Sequence, residues 1–117
     1  PGGRIEPGES AEAAAVREVR EEVGVEASGL VEAGELHFQF ADGFSLHGTV
    51  FFASGHAGEP CSTREADPFW CPLAEIPYER MWEDDRHWLP LALEGRRFRA
   101  YFVFDGDRML SRRIDLV

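Results

Sequence analysis

Residues Gly3 to Val25 read GRIEPGESAEAAAVREVREEVGV, and this segment decides how the rest of the chain is interpreted. Either Ser10 or Glu9 is a good helix N-cap, and the three alanines at 13–15 favour helix. Gly24 is placed to end the helix, because glycine readily adopts the left-handed conformation that follows a last helical turn. The segment therefore predicts a loop, a helix and a second loop.

The predicted helix has two different faces. One is an apolar stripe at helical spacing, formed by Val16, Val19 and Val23. The other carries three glutamates that lie three and four positions apart and should cluster, namely Glu18, Glu21 and Glu22. Such hard oxygen ligands suit Mg²⁺ or Mn²⁺, which bind through carboxylates, waters and substrate phosphates. The alternative is a solvated acidic face, the usual meaning of a glutamate-rich helix.

The spacing within this segment matches the Nudix box, G-x5-E-x7-R-E-U-x-E-E-x-G-U, where U is aliphatic. The matching positions are Gly3, Glu9, Arg17, Glu18, Val19, Glu21, Glu22, Gly24 and Val25. The chain thus resembles the Nudix hydrolase family. So many specified positions at fixed spacing favour a metal-binding helix over a merely solvated one.

Composition indicates a globular protein and disfavours two classes of partner. Of the 117 residues, 44% are hydrophobic and 29% are charged, which is enough to form one domain with a core. The net charge of −10 should repel nucleic acid and anionic membranes. A polyphosphate substrate would therefore need metal ions to mediate its binding.

Cysteines and histidines show no metal-binding pattern in the sequence. Cys61 and Cys71 lack metal-ligand spacing and are expected to be free thiols, with a disulfide as the alternative. The four histidines are widely separated, and we interpret each one as a surface or strand residue instead of a zinc ligand: His37, His47, His56 and His87.

Alternating apolar residues and turn residues predict strands after the helix. We expect a connector at 27–29, a strand at 30–40 and a turn at Asp42-Gly43. A return strand should follow at 45–53, and then a surface loop at 54–65.

The second half combines strands with one more helix. We predict a short strand at 68–73, then a helix at about 84–93 that Pro90 should kink or divide. A final hairpin is expected from 97–104 and 108–117, with three aromatic residues on its buried face: Phe98, Phe102 and Phe104.

This order of elements predicts a mixed α/β (α+β) fold, and it is similar to the Nudix family over the whole chain. The resemblance implies an α/β/α sandwich with a mixed sheet, formed by residues 1–117 as a single domain. In the family a further segment precedes the box and supplies opening strands of the sheet. Since this chain begins inside the box, we expect it to lack those N-terminal strands.

Motifs in the second half narrow the resemblance within the family. They are DPFW at 67–70, IPY at 76–78, MWEDD at 81–85, WLPL at 88–91 and, after Phe98, YFVF at 101–104. This series is similar to that of Nudix hydrolases acting on oxidised purine nucleoside triphosphates. It implies a Mg²⁺-dependent pyrophosphohydrolase, also able to use Mn²⁺, that converts nucleotides such as 8-oxo-dGTP to monophosphate and pyrophosphate in nucleotide-pool sanitation.

The resemblance also implies roles for individual residues. The metal ligands are Glu18, Glu21, Glu22 and the backbone carbonyl of Gly3, while Arg17 orients the glutamates through ion pairs. Glu65 is a loop carboxylate close to the metal, and either Glu22 or Glu65 is the general base. The base pocket comprises three aromatic residues and two aspartates that read the base edge: Phe38, Phe40, Trp82, Asp84 and Asp85.

Three positions depart from the pattern of these relatives. Ala66 and His47 each stand where the relatives have methionine, and Glu83 replaces a proline beside the aspartates. A wider or more polar base pocket would follow.

Alternatives remain for both function and individual residues. A different Nudix hydrolase would act on another nucleoside diphosphate derivative, and a catalytically silent Nudix-type domain would only bind its ligand. Trp82 could belong to the core, and Asp84-Asp85 could be an ordinary helix start. We expect a monomeric cytoplasmic protein that takes a nucleotide and binds neither nucleic acid nor membrane.

Overall fold

The computed structural model describes residues 1–117 and contains one four-stranded sheet and two α-helices. The elements are α1 (Ala11–Val23), β1 (Glu26–Phe40), β2 (Ser45–Ala57), α2 (Asp85–Leu93), β3 (Phe98–Asp105) and β4 (Arg108–Leu116). The strand order is β2-β1-β3-β4, with β1 parallel to β3 and β3 antiparallel to β4. The predicted mixed sheet with two helices is confirmed.

The chain forms two compact units. One comprises residues 1–31 and 51–72, and the other comprises residues 32–50 and 73–117. The assignment of residues 1–117 to a single domain stays a prediction. No helix is both long and apolar enough to cross a membrane. Both cysteines are free thiols, as expected.

Helix α1 begins and ends where local chemistry predicts. The Ser10 hydroxyl accepts a hydrogen bond from the Ala13 amide at 3.1 Å, which satisfies one unpaired donor of the first turn. Gly24 has a φ of 75° and donates its amide to the Arg20 carbonyl at 3.0 Å. Of the two N-cap candidates, Ser10 is therefore the cap.

The core of the second unit lies against β3. Phe98, Phe102 and Phe104 alternate along this strand and are 1%, 1% and 0% exposed. Ala92 of α2 belongs to the same buried cluster, and the Trp88 ring lies 5.8 Å from the Phe98 ring. The predicted buried aromatic face is confirmed.

Both strands of the first hairpin are longer than predicted. Residues 27–29 lie inside β1 and 54–57 lie inside β2, where a connector and a loop were expected. A Cβ on Gly29 would meet the Ser54 hydroxyl oxygen at 2.0 Å. Glycine here permits close approach of the strands, so the neighbouring residues Ser28 and Gly29 do not mark a connector.

One expectation for the second half was wrong, and one of the two outcomes expected at Pro90 is excluded. Residues 68–73 form no strand. Pro68 and Pro72 have no amide hydrogen to donate to a neighbouring strand. The side chains of Phe69 and Trp70 are 75% and 71% exposed, so they do not pack into a sheet face. Pro90 does not divide α2, which runs unbroken to Leu93.

Gly34→Ala should destabilise the fold. Gly34 pairs with Phe98 in the β1–β3 register, and an added Cβ would lie 2.6 Å from the Phe98 ring. Overpacking of this kind costs about 1–3 kcal/mol, measurable by urea unfolding. Gly48→Ala is the matched strand control, since no atom lies within 4 Å of its Cβ position. Equal stability of the two variants would contradict the proposed steric role of Gly34.

Candidate active site

Arg17 connects the loop before α1 to the helix itself. Its Nε and Nη2 donate to the two carboxylate oxygens of Glu9 at 2.9 and 3.1 Å. Its Nη1 donates to Glu18 Oε1 at 2.9 Å and to Glu21 Oε2 at 3.1 Å, and Nη2 also donates to the Arg4 carbonyl. One guanidinium thus positions three carboxylates, as a planar fork of donors allows.

Glu9 was considered from the sequence as a possible N-cap and as a Nudix-box position, but its pairing with Arg17 was not predicted. The Arg17 hydrogen bond is the main cause that lowers the pKa of Glu9, and the same pair raises the pKa of Arg17 further above its ordinary value. Both groups therefore stay charged. The fixed spacing of Glu9 within the Nudix box was the signal that could have identified it.

Three carboxylates from separate segments converge beside α1. Oxygens of Glu18, Glu22 and Glu65 lie within 4.8 Å of one another. The Gly2 amide donates to Glu22 Oε2 at 3.1 Å, and a Cβ on Gly3 would lie 2.3 Å from Glu18 Oε1. This carboxylate group fits a hard divalent cation, because it offers only oxygen ligands. The glycine at position 3 leaves the space that the Glu18 carboxylate occupies.

Thr63 positions the loop carboxylate and was missed by sequence reasoning. Its hydroxyl donates to the Glu22 carbonyl and accepts from the Glu65 amide at 3.2 Å. Its own amide donates to the Ala66 carbonyl at 2.9 Å. A threonine hydroxyl commonly bonds the backbone two residues further on, and this turn-forming tendency was the available signal.

Glu21 lies outside the carboxylate group and pairs with Arg17 instead. Its side chain is about half exposed, whereas those of Glu18 and Arg17 are largely buried. The structure therefore brings together two of the three helical glutamates predicted as ligands, joined by Glu65. A ligand role for Glu21 or for the Gly3 carbonyl stays a prediction.

A second site candidate is an aromatic cleft of about 310 Å³, a size suited to a small molecule. It lies in the unit formed by residues 32–50 and 73–117. It contains all five residues predicted for the base pocket, and its lining is Leu36, Phe38, Phe40, Leu46, Trp82, Asp84, Asp85, Trp88 and Phe104. Trp82 is 53% exposed, so it is not a core residue.

The two aspartates in the cleft differ in environment. Asp84 is 3% exposed, and its Oδ2 accepts a hydrogen bond from Trp88 Nε1 at 2.8 Å. Burial raises the pKa of Asp84, and burial together with the Asp84 charge raises the pKa of Asp85 to about 6. The Asp84 side chain makes no capping hydrogen bond to α2, so the alternative of an ordinary helix cap is not supported.

Two predictions about neighbouring residues need correction. His47 does not line the cleft; its neighbour Leu46 does, because successive strand residues point to opposite faces. The histidines are not all scattered either, since the rings of His37 and His47 stack at 4.1 Å. Glu83 accepts a hydrogen bond from the Met109 amide at 3.2 Å and thereby fastens the segment before Asp84.

The NUDIX domain family matches residues 1–92 of this chain. The chain belongs to the Nudix family. A Danio rerio relative named oxidized purine nucleoside triphosphate hydrolase is 37% identical over 118 residues, which cover 99% of this chain and 76% of the relative. A Mus musculus relative with the same name is 36% identical over 112 residues, covering 94% of this chain and 72% of the relative.

Solved structures agree with this family assignment. The mutator MutT protein from Bacillus halodurans superimposes with a TM-score of 0.89 at 26% sequence identity. The match covers 98% of this chain and 80% of the MutT chain. The fold of this Nudix protein is therefore that of MutT.

Gly3→Ala should disturb the carboxylate group without unfolding the protein. The new methyl group would displace the Glu18 carboxylate, and we expect Mn²⁺ affinity to fall about 10- to 100-fold, as for lost support of a metal ligand. Gly2→Ala is the matched control, because its Cβ position has no atom within 4 Å. Isothermal titration calorimetry would compare the two, and equal Mn²⁺ affinities would show that Glu18 needs no glycine beside it.

Proposed function

We propose that this Nudix protein is a nucleoside triphosphate pyrophosphohydrolase with oxidised purine nucleotides as its substrates. The observation that carries the proposal is the convergence of two glutamates of the Nudix box, Glu18 and Glu22, with the loop residue Glu65. The relatives named oxidized purine nucleoside triphosphate hydrolases support the substrate class. In nucleotide-pool sanitation, the reaction would remove damaged nucleotides.

In the reaction, water attacks a phosphorus of the triphosphate bridge, and the phosphorus–oxygen bond breaks to give nucleoside monophosphate and pyrophosphate. Mg²⁺ or Mn²⁺ held by the carboxylate group, with Glu21 and the Gly3 carbonyl as further candidate ligands, would neutralise phosphate charge and lower the pKa of bound water. Arg17 keeps Glu18 and Glu21 in place through its ion pairs.

Glu65 is the better candidate for the general base. Glu18 already accepts a hydrogen bond from Arg17, and Glu22 accepts one from the Gly2 amide. The Glu65 carboxylate accepts no hydrogen bond from the protein, so both of its oxygens are available to take a proton from water. A general base must lie within reach of that proton, and the convergence of Glu65 with the other two carboxylates supports this position.

Base selection would take place in the aromatic cleft. Phe38, Phe40 and Trp82 offer stacking surfaces and exclude water. The hydrogen bond from Trp88 leaves Asp84 suited to accept from base N–H groups, while protonated Asp85 can donate to the O6 carbonyl of an oxidised guanine. Exchange of the two protonation states would let the cleft accept oxidised adenine as well.

We further propose that residues 1–117 act as a monomeric single domain in the cytoplasm. Two free thiols are usual in a reducing compartment, and the net charge of −10 disfavours association with nucleic acid or anionic membranes.

Glu22→Gln should abolish most hydrolysis and leave stability intact. The substitution removes one charge from the carboxylate group, so turnover of 8-oxo-dGTP with Mg²⁺ should fall at least about 100-fold. Relief of repulsion should keep the melting temperature unchanged or raise it. Glu12→Gln is the control in the same helix, because Glu12 is exposed in the first turn. A lower melting temperature with full activity would make Glu22 a structural residue.

The preference for 8-oxo-dGTP over dCTP should fall as pH rises through about 6. Asp85 carries its proton below that value and loses it above, so its donor function disappears on the alkaline side. The ratio of kcat/KM for the two nucleotides, measured from pH 5 to pH 8, cancels pH effects on the chemical step. Asp85→Asn is a permanent donor, and its ratio should not change with pH. A variant ratio that follows the wild-type curve would exclude Asp85 as the donor.

A further inference from the structure

The sheet carries a polar cluster on the side of β1 that faces away from the aromatic cleft. Glu35 and His37 are two residues apart on β1 and therefore share one face, while Phe38 belongs to the other. His47 on β2 and Tyr101 on β3 lie on either side of His37. All of these residues belong to the unit formed by residues 32–50 and 73–117.

Aromatic stacking holds the central imidazole. The His47 ring lies 4.1 Å from the His37 ring at an interplanar angle of 17°, and the Tyr101 ring lies 4.8 Å away on the other side at 14°. His37 Nε2 is shielded from solvent and has no hydrogen-bond partner. A shielded nitrogen without a partner loses the hydration it would have in water, so a ligand for this atom would remove that cost.

The Glu35 carboxylate lies beside both imidazoles. Its Oε2 is 3.5 Å from His37 Nε2 and 4.0 Å from His47 Nε2, and one ligand atom from each residue lies within 4.8 Å of the others. Arg99 Nε donates to the same carboxylate at 3.0 Å and is the main cause that lowers the pKa of Glu35. The carboxylate is therefore ionised and oriented.

These separations are close to those of a tetrahedral metal site. Two bonds of about 2.1 Å at a tetrahedral angle place their ligand atoms about 3.4 Å apart. The Glu35–His37 pair already has this spacing. An imidazole nitrogen binds a metal in the plane of its ring, so the His47 ring must turn out of its stack with His37 for both to bind one ion. The His47 side chain is 60% exposed, so it can rotate in this way without disturbing the core.

We propose that Glu35, His37 and His47 bind a divalent transition-metal ion, with Zn²⁺ as the preferred ion. Two imidazoles and one carboxylate form a donor set suited to Zn²⁺, and solvent would complete the coordination. Mg²⁺ prefers oxygen ligands, so the carboxylate group beside α1 and this imidazole site should select different ions. The bound ion would join β1 to β2. This site does not depend on the proposed hydrolase function.

The test is a Zn²⁺ titration of the full chain by isothermal titration calorimetry, with Mg²⁺ in large excess to occupy oxygen-only sites. We expect wild type to bind Zn²⁺ at this site and His47→Gln to lose at least about tenfold in affinity. Zn²⁺ should also raise the melting temperature of wild type and not that of His47→Gln, because a ligand that binds only the folded state stabilises it.

Two variants serve as controls. His56→Gln removes another exposed histidine from β2, and Glu22→Gln alters the carboxylate group beside α1; neither should change the Mg²⁺-resistant Zn²⁺ binding. Unchanged Zn²⁺ affinity in His47→Gln would overturn the proposal, as would a loss of binding in His56→Gln equal to that in His47→Gln. Absence of Zn²⁺ binding by wild type in excess Mg²⁺ would overturn it as well.

Discussion

The ion-pair network of Arg17 is the interaction on which the Nudix segment depends. This guanidinium is largely buried and binds Glu9 with two hydrogen bonds, while Glu18 and Glu21 each accept one. The loop before α1 and the helix itself are thereby joined through charge-assisted bonds, which are stronger than neutral ones. Without the positive charge of Arg17, these carboxylates would repel one another. Burial of the largely shielded Glu9 and Glu18 side chains would then be costly.

The carboxylate group shows where stability and function conflict. Glu18 and Glu22 are four residues apart, a spacing at which like charges weaken a helix. Glu65 adds a third negative charge, and Arg17 contacts only Glu18 of the three. Local rules are usually broken at functional sites, and this convergence of oxygen ligands fits a hard divalent cation.

The aromatic cleft is continuous with the core of its unit. Phe104 is fully buried and also lines the cleft, and Trp82 packs edge-on against it at 5.5 Å. The same apolar surroundings make Asp84 costly to bury, and the Trp88 indole supplies the one side-chain hydrogen bond that offsets this cost. Proximity to Asp84 and burial then bring the pKa of Asp85 to about 6, within the range where its protonation can affect recognition.

The sequence alone determined the features that depend on short-range spacing: the end of α1 at Gly24, two candidates for its N-cap, the shared face of Glu18 and Glu22, and the alternating aromatics of β3. Capping, helical periodicity and strand alternation act within a few residues, so they can be identified without coordinates. Only the tertiary structure decided features that join distant residues. These include the extension of β1 and β2 through 26–29 and 54–57, the bridge from Thr63 to Glu22, the place of Leu46 in the aromatic cleft, and the meeting of His37 with His47. Strand pairing and side-chain contact across the sheet depend on register, and a shift of one residue exchanges the two faces, as the positions of Leu46 and His47 show.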